Sequence, residues 1–380
     1  MIVDESNKTT MNVQHHDDDN EHDVVVLKKR EIWNDWNSLR TNTLKPYYQT
    51  YIKDICWSFC GTFLVSCDNQ HQLTIWNTTA TTNETKLQYK NTPLFHQLQF
   101  YTTNDILYLI CASTTGIYFY RWNTLVSSFN RTTPVKLEHD EFVLTSSLLT
   151  EKSQFCVLGE NQLCVTNTNG QVLVWDITTQ QLQSTIQQSH FSSLSTITSP
   201  HPHQIILSGC SNNSNNQNDH HDHTTMIASI WDVSQSKLID TITASSSTTN
   251  SAAITTNSMV WDKGDWMVCG GDGFLATMHL PTRTMNSYMM TRESISDVSI
   301  GNNTIYSVGN EGVISAWDNC THLSRRTHRA WLSTPSATTL ASSSKSNILV
   351  VGGKGATLDC FTIPSYTTTS FGTKSHILTL

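Results

Sequence analysis

The chain has 380 residues, of which 14% are charged and 9% are aromatic, and its formal net charge is −8. It has no run of about 18 apolar residues and no secretory signal, so the sequence predicts a soluble, intracellular protein without a membrane span. Its ten cysteines are scattered without zinc-type spacing, which favours reduced core thiols over a disulfide or zinc framework.

The negative charge is concentrated at the amino terminus. Residues 1–23 contain seven acids and one base, for a net charge of −6, and the rest of the chain carries only −2. Low hydrophobicity with high charge predicts a disordered acidic tail over residues 1–23. A nearly neutral body argues against a large nucleic-acid surface, because phosphate binding needs clustered Lys and Arg.

Residues 24–49 are predicted to form a strand or short-helix extension. Ile32, Trp36 and Leu39 are spaced by four and three residues, which places them on one face of a helix. That face either packs on the side of the domain or, with Trp33, anchors a partner, so Trp33, Trp36 and Leu39 are candidate partner contacts. Val24–Leu27 could instead be a strand that pairs with the last blade.

From residue 50 onward the sequence repeats. Short alternating strands end in Trp followed by Asp or Asn, a pattern typical of WD repeats of about 40–45 residues. We predict that these Trp and Asp side chains are structural and pack between blades. They are Trp76, Trp122, Trp175, Asp176, Trp231, Asp232, Trp317 and Asp318.

One degenerate repeat is predicted between Trp231 and Trp317, because 86 residues separate them and one repeat needs about half of that length. Asp265–Gly271 leads into a tight turn, and a second strand then reaches His279, where Trp is expected. Leu358–Phe361 supplies a further repeat. We therefore predict an all-β fold, a seven-bladed WD40 β-propeller over residues 50–380, with an Asn- and His-rich loop insertion at 211–224.

Three details of the propeller are also predicted. In the third repeat, Phe155–Leu158 and Leu163–Val165 compete as the strand before the turn. Only the fourth repeat retains a His near its start, in Ser189-His190, so blade packing is expected to depend mainly on apolar contacts. Ser375–Leu380 has the pattern of a strand, and we expect it to complete the last blade.

The sequence indicates no catalytic chemistry. Gly352–Thr357 is not a phosphate loop, because Gly355 interrupts the required Gly-Lys-Ser/Thr sequence. His15–Asp17 and His220–His223 lie in polar, low-complexity segments where metal binding would be adventitious. No serine-hydrolase elbow or zinc-protease motif occurs. We expect no enzyme, no cofactor and no metal site.

A basic segment, His322–Arg329, lies between the last two predicted blades. Its Arg325 and Arg326 are candidate contacts for RNA or an acidic partner. The alternative is a solvated turn.

Asp265–Gly271 and the strand that follows to His279-Leu280 resemble the THO complex subunit 6 family, and the likeness extends over residues 47–380. This resemblance implies a non-catalytic WD-repeat scaffold of the nuclear TREX machinery, which acts in mRNP assembly and mRNA export. It implies coiled-coil THO subunits as partners and only indirect contact with RNA. No functional residue is transferred by motif.

Two other functions remain open. A substrate receptor of a cullin-type ubiquitin ligase commonly has Arg two residues after the Trp-Asp aspartate, where this chain has Thr178, Ser234 and Cys320. A directly RNA-binding propeller needs a basic face, which the nearly neutral body does not favour.

Overall fold

A computed structural model describes the following residues: 29–30, 51–78, 86–90, 92–127, 135–136, 142–167, 169–211, 224–245, 255–261, 265–301, 304–317, 326–332, 336–343, 345–354 and 358–363. The predicted acidic tail, the predicted helix with Trp33 and Trp36, most of the 211–224 insertion and Ser375–Leu380 lie outside these residues.

Within them the chain is built almost entirely from short strands. The first are β1 (Lys29–Arg30), β2 (Ile52–Trp57), β3 (Phe63–Asp68), β4 (Gln72–Asn77), β5 (Lys86–Lys90), β6 (Phe95–Thr103), β7 (Ile106–Ser113) and β8 (Ile117–Arg121), followed by the helix α1 (Trp122–Ser127). Next come β9 (Val135–Lys136), β10 (Phe142–Leu144), β11 (Phe155–Leu158), β12 (Gln162–Thr166), β13 (Gln171–Asp176), β14 (Gln181–Gln187), β15 (Phe191–His201), β16 (Gln204–Ser211), β17 (Thr224–Asp232) and β18 (Lys237–Ser245). The last are β19 (Thr256–Trp261), β20 (Trp266–His279), β21 (Thr284–Gly301), β22 (Thr304–Gly309), β23 (Val313–Trp317), β24 (Arg326–Trp331), β25 (Ala337–Ser343), β26 (Ile348–Gly353) and β27 (Leu358–Thr362).

These strands form small, mainly antiparallel sheets in a propeller-like arrangement. Four sheets have four strands, in the orders β10-β8-β7-β6, β11-β12-β13-β14, β15-β16-β17-β18 and β1-β27-β26-β25. A fifth has the order β2-β3-β4-β5-β9, and its last pair is parallel. The prediction of an all-β fold is confirmed. Both segments that competed in the third repeat are strands, β11 and β12, which pair with each other.

The sixth sheet departs from the predicted pattern of separate four-stranded blades, because six strands, β19 to β24, run on in one sheet. The first half of β20 pairs with β19 and its second half with β21. Likewise the first half of β21 pairs with β20, and its second half pairs with β22. β21 is 18 residues long and continues without a break from one set of partners to the next.

The chain reverses inside β20. The amide of Leu280 donates a hydrogen bond of 2.8 Å to the carbonyl of Asp265, so the two ends of this strand meet. Gly273, at the reversal, has φ of +80°, a conformation that glycine adopts without steric penalty. The same conformation occurs at Gly170 and Gly312 in other predicted hairpins. Asp265–Gly271 and Phe274–His279 are therefore the two arms of the predicted hairpin.

The first strands of successive sheets contact one another around a ring. β2 contacts β6 and β25, β15 contacts β11 and β19, and β21 contacts β19 and β25. Side-chain hydrogen bonds from Gln97 on β6 to the backbone of Phe155 on β11 complete the circuit. We call this set, with the second half of β21, the inner ring. Core clusters lie between neighbouring sheets, as in the one that joins Leu64 and Trp76 to Val350 and Cys360.

The ring is closed by the amino-terminal side of the described chain. β1 pairs antiparallel with the outer edge of β27, with Lys29 opposite Phe361 and Arg30 opposite Cys360. The expectation that Ser375–Leu380 completes this sheet is wrong for the position next to β27, because β1 occupies it. A strand from the opposite end of the chain removes an open edge at the point where the ring would otherwise part.

Most inner-ring strands carry a β-bulge just before a polar residue. The pairing register shifts between Ile52 and Asp54 on β2, and equivalent shifts occur on β6, β19, β21 and β25. A bulge re-aims side chains and bends the strand. Here it directs polar residues of one sheet toward the backbone of the next.

Candidate functional site

Three of the predicted Trp positions share the same buried environment. Trp76, Trp231 and Trp317 are buried, and the indole Nε1 of each donates a hydrogen bond to a buried serine. The acceptors are Ser66 at 3.0 Å, Ser229 at 3.0 Å and Ser307 at 2.8 Å, respectively. The expectation of mainly apolar packing missed this polar pair.

The other aromatic positions are less regular. Trp122 is buried but is the first residue of α1 rather than the end of a strand, and its ring packs edge-on against Phe100 at 4.8 Å. Trp175 is half-buried. His279, which stands where Trp is expected, lies 4.7 Å from the ring of Trp266 on the other arm of the hairpin. The hairpin thus retains an indole at its base, contributed by the other arm.

The aspartates that follow Trp175 and Trp231 stabilise the turns after them. Asp176 accepts a hydrogen bond of 2.8 Å from the amide of Thr179, and Asp232 accepts one of 3.0 Å from the amide of Gln235. The Ser234 hydroxyl also donates to Asp232 at 2.6 Å and holds the pKa of that carboxyl below its usual value. These contacts are local turn chemistry of the Asx type.

The candidate partner contacts chosen from sequence are hardly described. Trp33, Trp36, Leu39, Arg325 and Asp318 lie outside the described residues. Arg326 is the first residue of β24, where its backbone pairs with Trp317.

A different surface cluster lies at the far end of β24. Trp331 is 60% exposed, the largest exposed fraction among the exposed large hydrophobic side chains of the described residues. The guanidinium of Arg329 lies 5.4 Å from its ring centre and 3.3 Å from a carboxylate oxygen of Glu311. We call Glu311, Arg329 and Trp331 the Trp331 cluster. The sequence signal that could have identified it is the two-residue spacing of Arg329 and Trp331, which puts both on one face of a strand.

The cluster lies at a defined edge of the sheets. The amide of Leu332, next to Trp331, donates to the carbonyl of Gly312 in the turn between β22 and β23. Ser336, at the start of the next sheet, donates to the side chain of Asn310 in the same turn. Trp331 thus lies beside a junction between two sheets, where a partner could contact both.

A second polar arrangement lies in the inner ring, where two aspartates link neighbouring strands. Asp54 on β2 accepts hydrogen bonds from the amide of Leu98 on β6 at 2.6 Å and from the Thr339 hydroxyl on β25 at 3.0 Å. Asp297 on β21 accepts from the amide of Leu340 on β25 at 2.7 Å and from the Ser258 hydroxyl on β19 at 2.6 Å. Each aspartate therefore links the strands on both sides of its own.

The two aspartates are unusual acids. Loss of hydration, with a smaller contribution from the nearby charge of Asp297, raises the pKa of Asp54 to about 7 against the opposing effect of its hydrogen bonds. Loss of hydration likewise raises the pKa of Asp297 to about 6. Both side chains are half-buried, since they lie where neighbouring strands crowd around them. Perturbed acids mark functional sites, but they also occur in structural networks.

A substitution at Gln97 can test whether side-chain hydrogen bonds between inner-ring strands stabilise the contact between sheets. Its amide donates to the carbonyl of Phe155 at 2.9 Å and accepts from the amide of Phe155 at 2.7 Å. Gln97→Glu keeps the acceptor but loses the donor, so we expect a loss of about 2 kcal/mol in the free energy of unfolding by urea. The same change at exposed Gln181 is the control and should shift stability by less than about 0.5 kcal/mol. Equal effects at both positions would contradict a bridging role for Gln97.

The described residues contain no group of three or more His, Cys, Asp or Glu side chains placed to hold a metal ion. Among the same residues, no helix is long and apolar enough to cross a membrane. The predicted His-rich segments at His15–Asp17 and His220–His223 lie outside the described part of the chain.

No family model matches the sequence, and no curated protein matches it.

Proposed function

We propose that this protein is a non-catalytic interaction scaffold that binds partner proteins on the surface of its propeller. The observation that carries the proposal is the Trp331 cluster. An indole exposed to this extent and placed over an arginine is typical of an interaction anchor, because Trp and Arg contribute most to hot spots. The β-propeller arrangement supplies the rigid support that such an anchor needs.

The propeller is proposed to have seven blades, with the six-stranded sheet counted as two. Two observations support this count. The chain reverses within β20, so β19, both arms of β20 and the first half of β21 make one four-stranded unit. The second half of β21 with β22, β23 and β24 makes another, and the inner ring then has one strand per unit.

The specific assembly we propose is a nuclear one that acts in mRNP assembly and mRNA export, similar to THO within TREX. The likeness of Asp265–Gly271 to the THO complex subunit 6 family supports it. Coiled-coil THO subunits are the proposed partners, and RNA would be reached through them. The nearly neutral sequence beyond residue 23, with a net charge of −2, favours protein partners over direct RNA contact.

Trp331→Ala is expected to abolish most partner binding without loss of fold. Truncation of a hot-spot Trp typically weakens binding by about 2 kcal/mol or more, which is about thirtyfold in affinity. The measurement is co-purification of THO subunits with tagged full-length protein from nuclear extract. Leu182→Ala is the matched control, because Leu182 is 47% exposed and lies on β14 of another sheet.

The outcomes separate the candidate functions. Recovery of THO subunits with the wild type and Leu182→Ala, and their loss with Trp331→Ala, supports the proposal. Recovery of a cullin adaptor instead identifies a ubiquitin-ligase receptor. Tight RNA binding by the isolated chain near physiological salt identifies an RNA-binding propeller. Unchanged binding by Trp331→Ala removes the Trp331 cluster as the anchor.

A further inference from the structure

The outer edge of β14 is an uncharged strand edge. β14 ends the sheet β11-β12-β13-β14, and among the described strands none pairs with its outer side. It has seven residues, Gln181–Gln187, of which five are exposed and none is charged or a proline. The open N–H and C=O groups of such an edge can pair with another strand, which charged residues, prolines or a covering segment normally prevent.

The other described outer strands each have such protection. β5 is covered by β9, and β10 and β1 are only three and two residues long. The remaining outer strands contain charged residues, which are Lys237 and Asp240 on β18, Arg292 and Glu293 on β21, and Arg326 and Arg329 on β24. Among them, β14 alone combines a full length with an uncharged, uncovered edge.

The pairing of β14 with β13 shows which of its amides face outward. The amide of Asn167 donates to the carbonyl of Gln171, so the odd-numbered residues of β13 bond toward β12 and the even-numbered ones toward β14. Ser184 and Ile186 lie opposite even-numbered residues of β13, so they bond inward. Thr185, between them, is exposed and directs its backbone N–H and C=O outward.

The same position on β18 has its outward amide satisfied within the strand. Thr241, like Thr185, lies ten residues after the Trp of its repeat. The amide of Thr241 donates a hydrogen bond of 2.8 Å to the carboxylate of Asp240, the residue before it. On β14 the residue before Thr185 is Ser184, which has no carboxylate. An acid therefore blocks the edge of β18 where β14 stays open.

We propose that β14 is a self-association surface, on which the β14 strands of two copies of this chain pair antiparallel about a two-fold axis at Thr185. In this register Thr185 faces its own copy and Gln183 faces Gln187, so no like charges meet, and a Thr–Thr pair is favourable across strands. A two-fold pairing closes on itself and gives a dimer rather than a filament.

The charge of the chain is compatible with a second copy as the occupant. Residues beyond 23 carry a net charge of only −2, and protein surfaces with little net charge repel one another weakly. β14 lies in a different sheet from the Trp331 cluster, so the dimer leaves that surface open to other proteins.

Sedimentation equilibrium of the full chain tests the proposal. A single pair of strand edges is a small interface, so we expect a dissociation constant of about 10–100 µM and would measure from about 5 to about 200 µM. The average mass should rise from 42.7 kDa toward twice that value with concentration. A mass that stays at 42.7 kDa throughout would overturn the proposal.

Thr185→Pro removes the outward amide and no bond to β13, a change that an edge strand tolerates. The dimer would lose the two hydrogen bonds that the paired Thr185 amides donate, so we expect association to weaken by about thirtyfold. Thr241→Pro, at the same position on β18, is the matched control and should associate like the wild type. Association of Thr185→Pro at the wild-type strength would contradict the pairing.

Charged variants test the two-fold register and do not depend on the proline. Thr185→Arg alone and Thr185→Glu alone each place like charges face to face, so each should associate more weakly than the wild type. An equimolar mixture places opposite charges face to face and should associate at least about tenfold more tightly than either variant alone. A mixture that associates no more tightly than its two components would rule out pairing at Thr185.

A measurement on the wild type alone covers the case in which the variants do not fold. Amide hydrogen exchange of β14 should slow by about threefold or more between dilute and concentrated protein, since association protects the paired amides. Exchange of β18 should not change with concentration. Equal exchange of β14 at both concentrations would count against the dimer.

Discussion

Gly271→Ala is expected to lower the free energy of unfolding by about 3 kcal/mol, since a forced contact in a packed core costs about this much. A Cβ at Gly271 would lie 2.2 Å from the carbonyl oxygen of Thr255 and 2.3 Å from the Phe274 ring. That carbonyl is held by a hydrogen bond of 2.9 Å from the amide of Asp272, and Phe274 is fully buried. Neither neighbour can move without breaking other contacts.

Gly273→Ala is the matched control, two residues away in the same hairpin. Its φ of +80° strains an alanine, but the nearest atom to a new Cβ is 3.4 Å away, so we expect a loss of about 1 kcal/mol. Urea unfolding of both variants, followed by tryptophan fluorescence, measures the difference. If Gly271→Ala lowered the free energy of unfolding no more than Gly273→Ala, the bulged strand β19 would be able to move away from Gly271. That result would contradict the close packing observed.

The hairpins could be predicted from sequence because each is determined by residues close together in the chain. Alternation of apolar residues, a turn glycine and a terminal Trp fix the middle strands of each repeat, as for Leu73–Trp76 and Val172–Trp175. The turn glycine is not always explained by backbone conformation, however. Gly116 is required because a Cβ there would lie 2.7 Å from the Val143 side chain, a long-range contact that local pattern does not show.

The hydrogen bonds of the inner ring could not be predicted from local sequence patterns. Asp54 and Asp297 lie in ordinary alternating strands, and their partners Leu98 and Leu340 follow 44 and 43 residues later. The bulges that aim them are set by pairing with the neighbouring strand, which a single strand's pattern does not reveal. The sequence raised an amino-terminal pairing strand at Val24–Leu27 but did not identify β1, because a two-residue strand has no periodicity. The Trp331 cluster was partly visible in the basic segment that ends at Arg329.

Trp317→Ala is expected to lower the free energy of unfolding by about 4 kcal/mol, a larger loss than at Gly271 or Gln97. Trp317 is buried and shares a core cluster with Val268 and Leu275 of β20 and Ile305 of β22. Its removal leaves a cavity between two proposed blades and also leaves the Ser307 hydroxyl without its donor at 2.8 Å. Trp317→Phe should lose about 1 kcal/mol from the missing hydrogen bond alone, with some additional loss from the smaller ring.

Trp331→Ala supplies the internal comparison, because it removes the same side chain from the same sheet. Trp331 pairs with Val313 on the strand that contains Trp317, yet it is 60% exposed, so its truncation should change the free energy of unfolding by less than about 0.5 kcal/mol. Urea unfolding of the two variants then separates the packing role of one indole from the binding role of the other. If Trp331→Ala destabilised the chain as much as Trp317→Ala, loss of partner binding could not be assigned to the surface.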